Sequence, residues 1–116
     1  MNSSDCIFCK IIKGEIPSQI VYEDDLIFAF DDINPQAPVH TLIIPKDHFA
    51  SLKDIPEDKM GFVSHLMSKA REIAEKKGIL ESGFRIVLNT ERDSGQDVFH
   101  IHFHLLGGRL MTWPPG

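Results

Sequence analysis

Residues 98–109 read VFHIHFHLLGGR, and three of the six histidines in the chain, His100, His102 and His104, fall there at alternate positions between Phe99, Ile101, Phe103 and Leu105. Alternation of period two is a strand signal, because successive side chains of an extended chain leave on opposite faces. The pattern predicts a strand over 99–106 with imidazoles on one face and apolar residues on the other. Neighbouring imidazoles on such a face lie about 6–7 Å apart, from a rise of about 3.3 Å per residue. An undistorted strand cannot bring all three onto one metal ion, so three different tasks are expected. Burying a face of imidazoles also demands a partner for every ring nitrogen. Histidine titrates at about pH 6.5, which suits a nucleophile, acid or base at neutral pH. The run ends in Gly107 and Gly108, where the backbone is free to approach a ligand closely.

Outward from this strand, FRIVLN (84–89) reads as a partner strand, joined to it by the polar loop TERDSGQD (90–97). Gly95 and Gln96 of that loop are candidates to offer backbone N–H groups to a phosphate, as compact turns do. Further upstream, DIPED (54–58) places Glu57 three residues after Asp54, with Pro56 between them. This reads as the capping box and first turn of a long helix. Its apolar stripe is Val63, Leu66, Met67, Ala70, Ile73 and Ala74, and Gly78 supplies the stop. His65 lies on this helix without a companion motif and reads as an ordinary surface or satisfied core residue. HTLIIPK (40–46) is a strand whose apolar run implies burial, INPQAP (33–38) a loop, and QIVYEDDLIFAF two strands, 20–23 and 26–30, around Asp24 and Asp25. CIFCKIIKGEIP (6–17) is a short helix ending near Gly14. Connections this short favour antiparallel pairing. The fold class is α+β: an antiparallel sheet of about five strands with one long helix and a short N-terminal helix.

A chain of 116 residues suits one domain, and 42% hydrophobic and 25% charged residues are ordinary for a soluble protein. The net charge of −5 gives no general reason to expect nucleic-acid binding, so any phosphate contact must be local. No segment reads as a signal peptide or a bilayer span, which leaves the cytoplasm as the expected compartment and no membrane partner. The two cysteines, Cys6 and Cys9, admit three readings: a redox pair, half of a zinc site, or two small residues in a buried turn. A zinc site needs two more ligands, for which His48 and His100 are available, but spacing alone does not select them.

Taken together, HIHFHLL (100–106), the N-terminal CIFCKIIKGEIP, FDDINPQAPVHTLIIPKDH (30–48) and the final GGRLMTWPPG (107–116) resemble the histidine triad (HIT) family of nucleotide hydrolases and transferases. The resemblance covers nearly the whole chain and is to the nucleoside phosphoramidase branch, the histidine triad nucleotide-binding proteins. It implies one domain over 1–116, a sheet continued across a homodimer, and a purine nucleotide site in each subunit. His102 would be the nucleophile, His104 would contact the phosphate, His40 would complete the hydrogen-bond network, and His100 would be a prop or a metal ligand. A structural zinc ion would be held by Cys6, Cys9, His48 and His100, with no catalytic metal. Asp32 would accept hydrogen bonds from the ribose hydroxyls. Ile7, Phe8, Ile11, Phe30, Ile33 and Leu42 would clamp the base, although Ile11 and Leu42 read equally well as ordinary core. Asn89, Gly95, Gln96 and Asp97 would surround the α-phosphate, and the tail 107–116, with Trp113, would cross the dimer to shape the partner's site. Asp97 departs from the serine that several relatives carry there.

The implied reaction is hydrolysis of a purine nucleoside 5′-phosphoramidate through a nucleotidyl-histidine. The alternatives are hydrolysis of dinucleoside polyphosphates or nucleotidyl sulfates, a non-catalytic nucleotide-sensing dimer, and an unrelated metalloenzyme with His102 and His104 as ligands.

Overall fold

The computed structural model describes residues 3–116, so all but the first two residues of the expected domain can be compared. A short helix α1 (Ile7–Ile12) precedes strands β1 (Ile20–Glu23), β2 (Ile27–Asp31) and β3 (Val39–Pro45). The long helix α2 (Phe62–Lys76) follows, then β4 (Phe84–Leu88) and β5 (Phe103–Gly107). The five strands form one antiparallel sheet in the order β1-β2-β3-β5-β4. The expected α+β class, strand number and two helices are therefore those observed.

Period-two alternation gives the sheet two buried faces. Ile27, Ala29, Ile43, Ile101, Phe103 and Leu105 pack with Leu66, Ala70, Ile73 and Ala74 of α2. Phe28, Phe30, Leu42 and Ile44 leave on the other face, where Cys6, Phe8, Cys9 and Ile11 of the α1 segment cover them. A sheet buried on both sides explains why β3 reads as a continuous apolar run rather than a half-polar one. Among the described residues, no helix is long and apolar enough to cross a membrane.

Two expected boundaries are wrong, each because of a proline. Asp54 and Glu57 do not cap the long helix, which starts at Phe62 behind Gly61 with no side-chain cap. Residues Leu52–Asp54 and Glu57–Lys59 form separate 3₁₀ turns, and the Asp54 carboxylate accepts from Ser51 Oγ at 2.8 Å. Pro56 disfavours helical backbone at the residue before it, and Ile55 is extended (φ −83°, ψ 120°) and buried in the α2 core. The histidine strand, expected over 99–106, is hydrogen-bonded only from Phe103. Its register on β3 pairs Ile43 with Phe103, so the next hydrogen-bonding position would meet Pro45, which has no N–H to give. The chain instead departs, with Ile101 N–H donating to Phe49 O at 2.7 Å.

His65 is the satisfied, half-buried residue that its isolation in the sequence suggests. Its Nε2–H donates to Asp24 Oδ2 at 2.6 Å, beside the Tyr22 hydroxyl at 2.7 Å, and Leu26 and Ile27 N–H groups donate to Asp24 Oδ1. Burial acts to raise the Asp24 carboxyl, but these four hydrogen bonds outweigh it and hold the group well below the usual carboxylate range. The network pins α2 to the β1–β2 turn.

Candidate functional site

The three histidines keep to the α1 face, and each has a different set of partners. His100, fully buried, donates from Nε2 to the Pro45 carbonyl at 2.8 Å, so its Nδ1 carries a lone pair. That lone pair faces Cys6 Sγ at 3.4 Å, Cys9 Sγ at 3.5 Å and His48 Nδ1 at 3.2 Å, while Cys9 Sγ lies 3.4 Å from His48 Nδ1. Zinc–ligand bonds of about 2.3 Å to sulfur and about 2.05 Å to nitrogen imply tetrahedral edges of about 3.5 Å between sulfur and nitrogen and about 3.3 Å between nitrogens. The four donor pairs above already stand at those edges and all four donors lie within 4.8 Å of one another, so they fit a tetrahedral metal ion with every position filled by protein. Cys6 caps α1, its Sγ accepting from Cys9 N–H, which is why a pair spaced three apart converges. Burial depresses His100 to about 4 and keeps it a neutral ligand. Burial, reinforced by Cys6, pushes the Cys9 thiol up to about 11, so it stays protonated unless a bound cation draws it off as thiolate.

His102 is also buried, and its Nδ1 lies 2.9 Å from the His100 carbonyl oxygen. A carbonyl only accepts, so Nδ1 carries a proton and, in the neutral ring, Nε2 presents its lone pair. Phe8 packs edge-on against this ring with centroids 5.2 Å apart. His104 belongs to a longer chain of bonds. Gln36 N–H donates to His40 Nδ1 at 3.0 Å, which obliges His40 to donate from Nε2 to His104 Nδ1 at 2.9 Å. His104 must then carry its proton on Nε2. Burial first, then His102 and His40, lowers His104 to about 4, and burial lowers His40 as well, so both rings are neutral at pH 7. The site thus offers a lone pair at His102 and an N–H at His104, on rings 5.0 Å apart.

Both rings line a cleft of about 320 Å³ between α1 and the ends of β2, β3 and β5. Its apolar wall includes Ile7, Phe8, Ile11, Phe30, Ile33 and Leu42, the six residues expected to clamp a base. Ile33 is 96% exposed and stands at the rim, whereas Phe8, Ile11, Phe30 and Leu42 are buried. Asp32 lies on the wall, accepting Asn34 N–H at 2.9 Å and standing 3.5 Å from His40 Nε2. Ile16, Pro17, Ser18, Asp31 and Val98 also line the cleft and were not singled out in the sequence. Ile16 and Pro17 lie just beyond the α1 stop at Gly14, and an apolar residue stranded beyond a helix end was the available signal. A larger depression of about 560 Å³ contains none of the histidines, and its guanidinium groups, Arg85 and Arg109, are spent on the Thr112 and Gln36 carbonyls.

The phosphate loop differs from expectation. Gly95 N–H donates to Arg92 O and Gln96 N–H to Glu91 O, so both are used inside the loop. The Gln96 side chain is buried and ties Glu91 N–H, Ala50 O and Val98 O together. Asn89 lies just beyond β4 and is not part of the cleft wall. Asp97 does line the cleft, with Oδ1 3.6 Å from His102 Nε2. Gly107 and Gly108 make close approaches, but to protein: a Cβ there would lie 2.6 Å from Ile79 Cδ1 or 2.8 Å from Pro38 Cβ. Trp113 is 81% exposed.

The sequence profile of the HIT domain matches residues 13–111. The chain belongs to the HIT family. It is 51% identical over 114 residues to an uncharacterized HIT-like protein of Synechococcus elongatus, covering 98% of this chain and 99% of that one. It is 50% identical over 107 residues to the purine nucleoside phosphoramidase of Escherichia coli K12, covering 92% and 90%. A HIT family hydrolase from Legionella pneumophila superposes with a TM-score of 0.93 at 51% identity, over 97% of this chain and 100% of that one. A zinc-bound histidine triad protein from Mycobacterium smegmatis superposes with a TM-score of 0.79 at 32% identity, over 93% and 78%.

Proposed function

We propose that this HIT-family hydrolase cleaves purine nucleoside 5′-phosphoramidates through a nucleotidyl intermediate on His102 Nε2. The observation that carries the reading is the bond from His102 Nδ1–H to the His100 carbonyl, which leaves Nε2 as the attacking atom. The 50% identity to a purine nucleoside phosphoramidase points to the same bond class. Nε2 forms a bond to the α-phosphorus as the P–N bond breaks, and the departing amine takes up a proton from solvent at the mouth of the cleft. Water then attacks phosphorus, the P–Nε2 bond breaks, and the proton released by water balances the one consumed. His104 Nε2–H donates to a phosphoryl oxygen, with its tautomer held by His40 and Gln36. Asp32 accepts from the ribose hydroxyls, and Phe8, Phe30 and Leu42 sandwich the base.

Cys6, Cys9, His48 and His100 would hold zinc, which when bound supplies a structural cross-link between α1 and the histidine run. Two reduced thiols as ligands suit the cytoplasm. A homodimer is supported by the open edge of β4 and by the exposed Leu110 and Trp113 of the tail, which would reach a second copy. The test is steady-state hydrolysis of a fluorogenic adenosine 5′-phosphoramidate by the wild type and His102→Ala, with intact mass recorded on quenched reactions. Turnover lost in the variant, with a transient nucleotide adduct on the wild type, supports the proposal. Tight nucleotide binding without turnover by the wild type replaces it with a sensing role.

A further inference from the structure

The cleft is unusual for a phosphate site in its charge. Among the described residues lining it there are three carboxylates, Asp31, Asp32 and Asp97, and no lysine or arginine. Asp31 is neutralised by Lys77, whose Nζ lies 3.0 Å away, and Asp32 is engaged by Asn34 N–H and the His40 ring. Asp97 instead faces the attacking atom, 3.6 Å from His102 Nε2, with the rest of its side chain in solvent at the mouth. Phosphorus must be seated in front of Nε2 at about 3–3.5 Å, with the leaving group beyond it in line. Phosphorus then lies at most about 7 Å from Asp97 Oδ1, and the leaving group departs from that point towards the mouth of the cleft.

We propose that Asp97 is a specificity-determining residue that selects the leaving group by charge, favouring amines that carry a further positive charge and disfavouring anionic leaving groups. This deepens, and rests on, the phosphoramidase reading above. The physical basis is a fixed negative charge beside the reacting phosphorus with no cation on the cleft wall to offset it. It separates a singly charged phosphoramidate bearing a cationic amine from a polyphosphate, whose leaving group brings more negative charge to the same place. At about 7 Å and an effective dielectric of about 50, one unit of charge on the leaving group changes kcat/KM by about five-fold. The step between an ammonium and a carboxylate at the same position is then about twenty-five-fold. The proposal also explains why a carboxylate can stand at this position without blocking catalysis. Exposure to solvent lets it tolerate a single phosphate charge while still discriminating against two or three.

The experiment uses three adenosine 5′-phosphoramidates of matched chain length, made from 1,3-diaminopropane, butylamine and β-alanine. Their distal groups are an ammonium, a methyl and a carboxylate. kcat/KM is measured because it covers capture of the nucleotide by His102, the step in which the amine leaves. The wild type at low salt is expected to rank them ammonium, methyl, carboxylate, with about five-fold between neighbours. Asp97→Asn should bring the three within about two-fold, and Asp97→Lys should invert the order. Raising the salt to about 0.5 M should compress the wild-type spread below about three-fold, a readout that needs no variant. A ranking unchanged in both variants and insensitive to salt overturns the proposal while leaving the phosphoramidase reading intact. Failure of the wild type to turn over any of the three overturns both.

Discussion

Gln96 lies in the loop between β4 and β5, where sequence patterning points to a phosphate contact and the structure points to a brace. Its Oε1 accepts from Glu91 N–H at 2.7 Å, and its Nε2 donates to Ala50 O at 2.8 Å and Val98 O at 3.0 Å. With 7% of its surface exposed, little water is available to replace these bonds in Gln96→Ala. At about 1 kcal/mol for each bond, the variant loses about 3 kcal/mol. An unfolding entropy of about 2.1 cal/mol/K per residue amounts to about 0.24 kcal/mol/K for a chain of 116 residues, so Tm falls by about 12 °C. Gln96→Glu is expected to be at least as damaging, because a carboxylate oxygen would face two carbonyls that need a donor. The assay is calorimetric melting at one fixed protein concentration, paired with AMP binding at 15 °C, where the variant remains folded. A Tm within about 3 °C of wild type, with AMP affinity reduced by about ten-fold or more, would refute the brace and assign the Gln96 side chain to the nucleotide.

Three further outcomes are expected. Removing metal with a strong chelator should release about one zinc per chain and lower Tm by about 16 °C, from about 4 kcal/mol of linkage at a thousand-fold excess over Kd; Cys6→Ser should show the low Tm without chelator. His104, at about 4 when folded against 6.5 when unfolded, binds its proton more weakly in the folded state. Its contribution to stability is therefore complete above pH 6.5 and is lost as pH falls from 6.5 towards 4; the lowered His40 acts in the same direction, and His104→Asn should flatten the Tm profile in that window. Gly108→Ala should lower Tm by about 8 °C, roughly 2 kcal/mol, because φ is +92° and the new Cβ would meet Pro38 Cβ at 2.8 Å, whereas Gly95→Ala, also at positive φ but with open space around it, should cost about half as much.

Periodicity along the chain was enough to establish five strands, a long amphipathic helix and a face of histidines opposite a face of apolar residues, because side-chain direction in a strand is a local property. The same alternation made it legible that one metal could not take all three rings. The chemical types at Cys6, Cys9, His48 and His100 were also legible, as candidates. Spacing left the set open and the resemblance named it; the physical reason for it is tertiary, since α1 laid across the sheet brings residues 94 positions apart, Cys6 and His100, to within 3.4 Å. Residue pattern alone does not give the tautomers, for the same reason; the resemblance implied a backbone carbonyl behind His102, and the structure identifies the partners: Pro45 O for His100, the His100 carbonyl for His102, Gln36 N–H through His40 for His104. The glycines after the histidine run and the amide of Gln96 looked like ligand contacts because a sequence does not say whether a close neighbour is substrate or protein. Pro45 and Pro56 moved two element boundaries by rules that are local, yet the outcome depended on what the displaced residues found: Ile55 a place in the core, and His100 a carbonyl to bond. Local sequence thus determined which faces exist, and long-range packing decided which atoms meet across them.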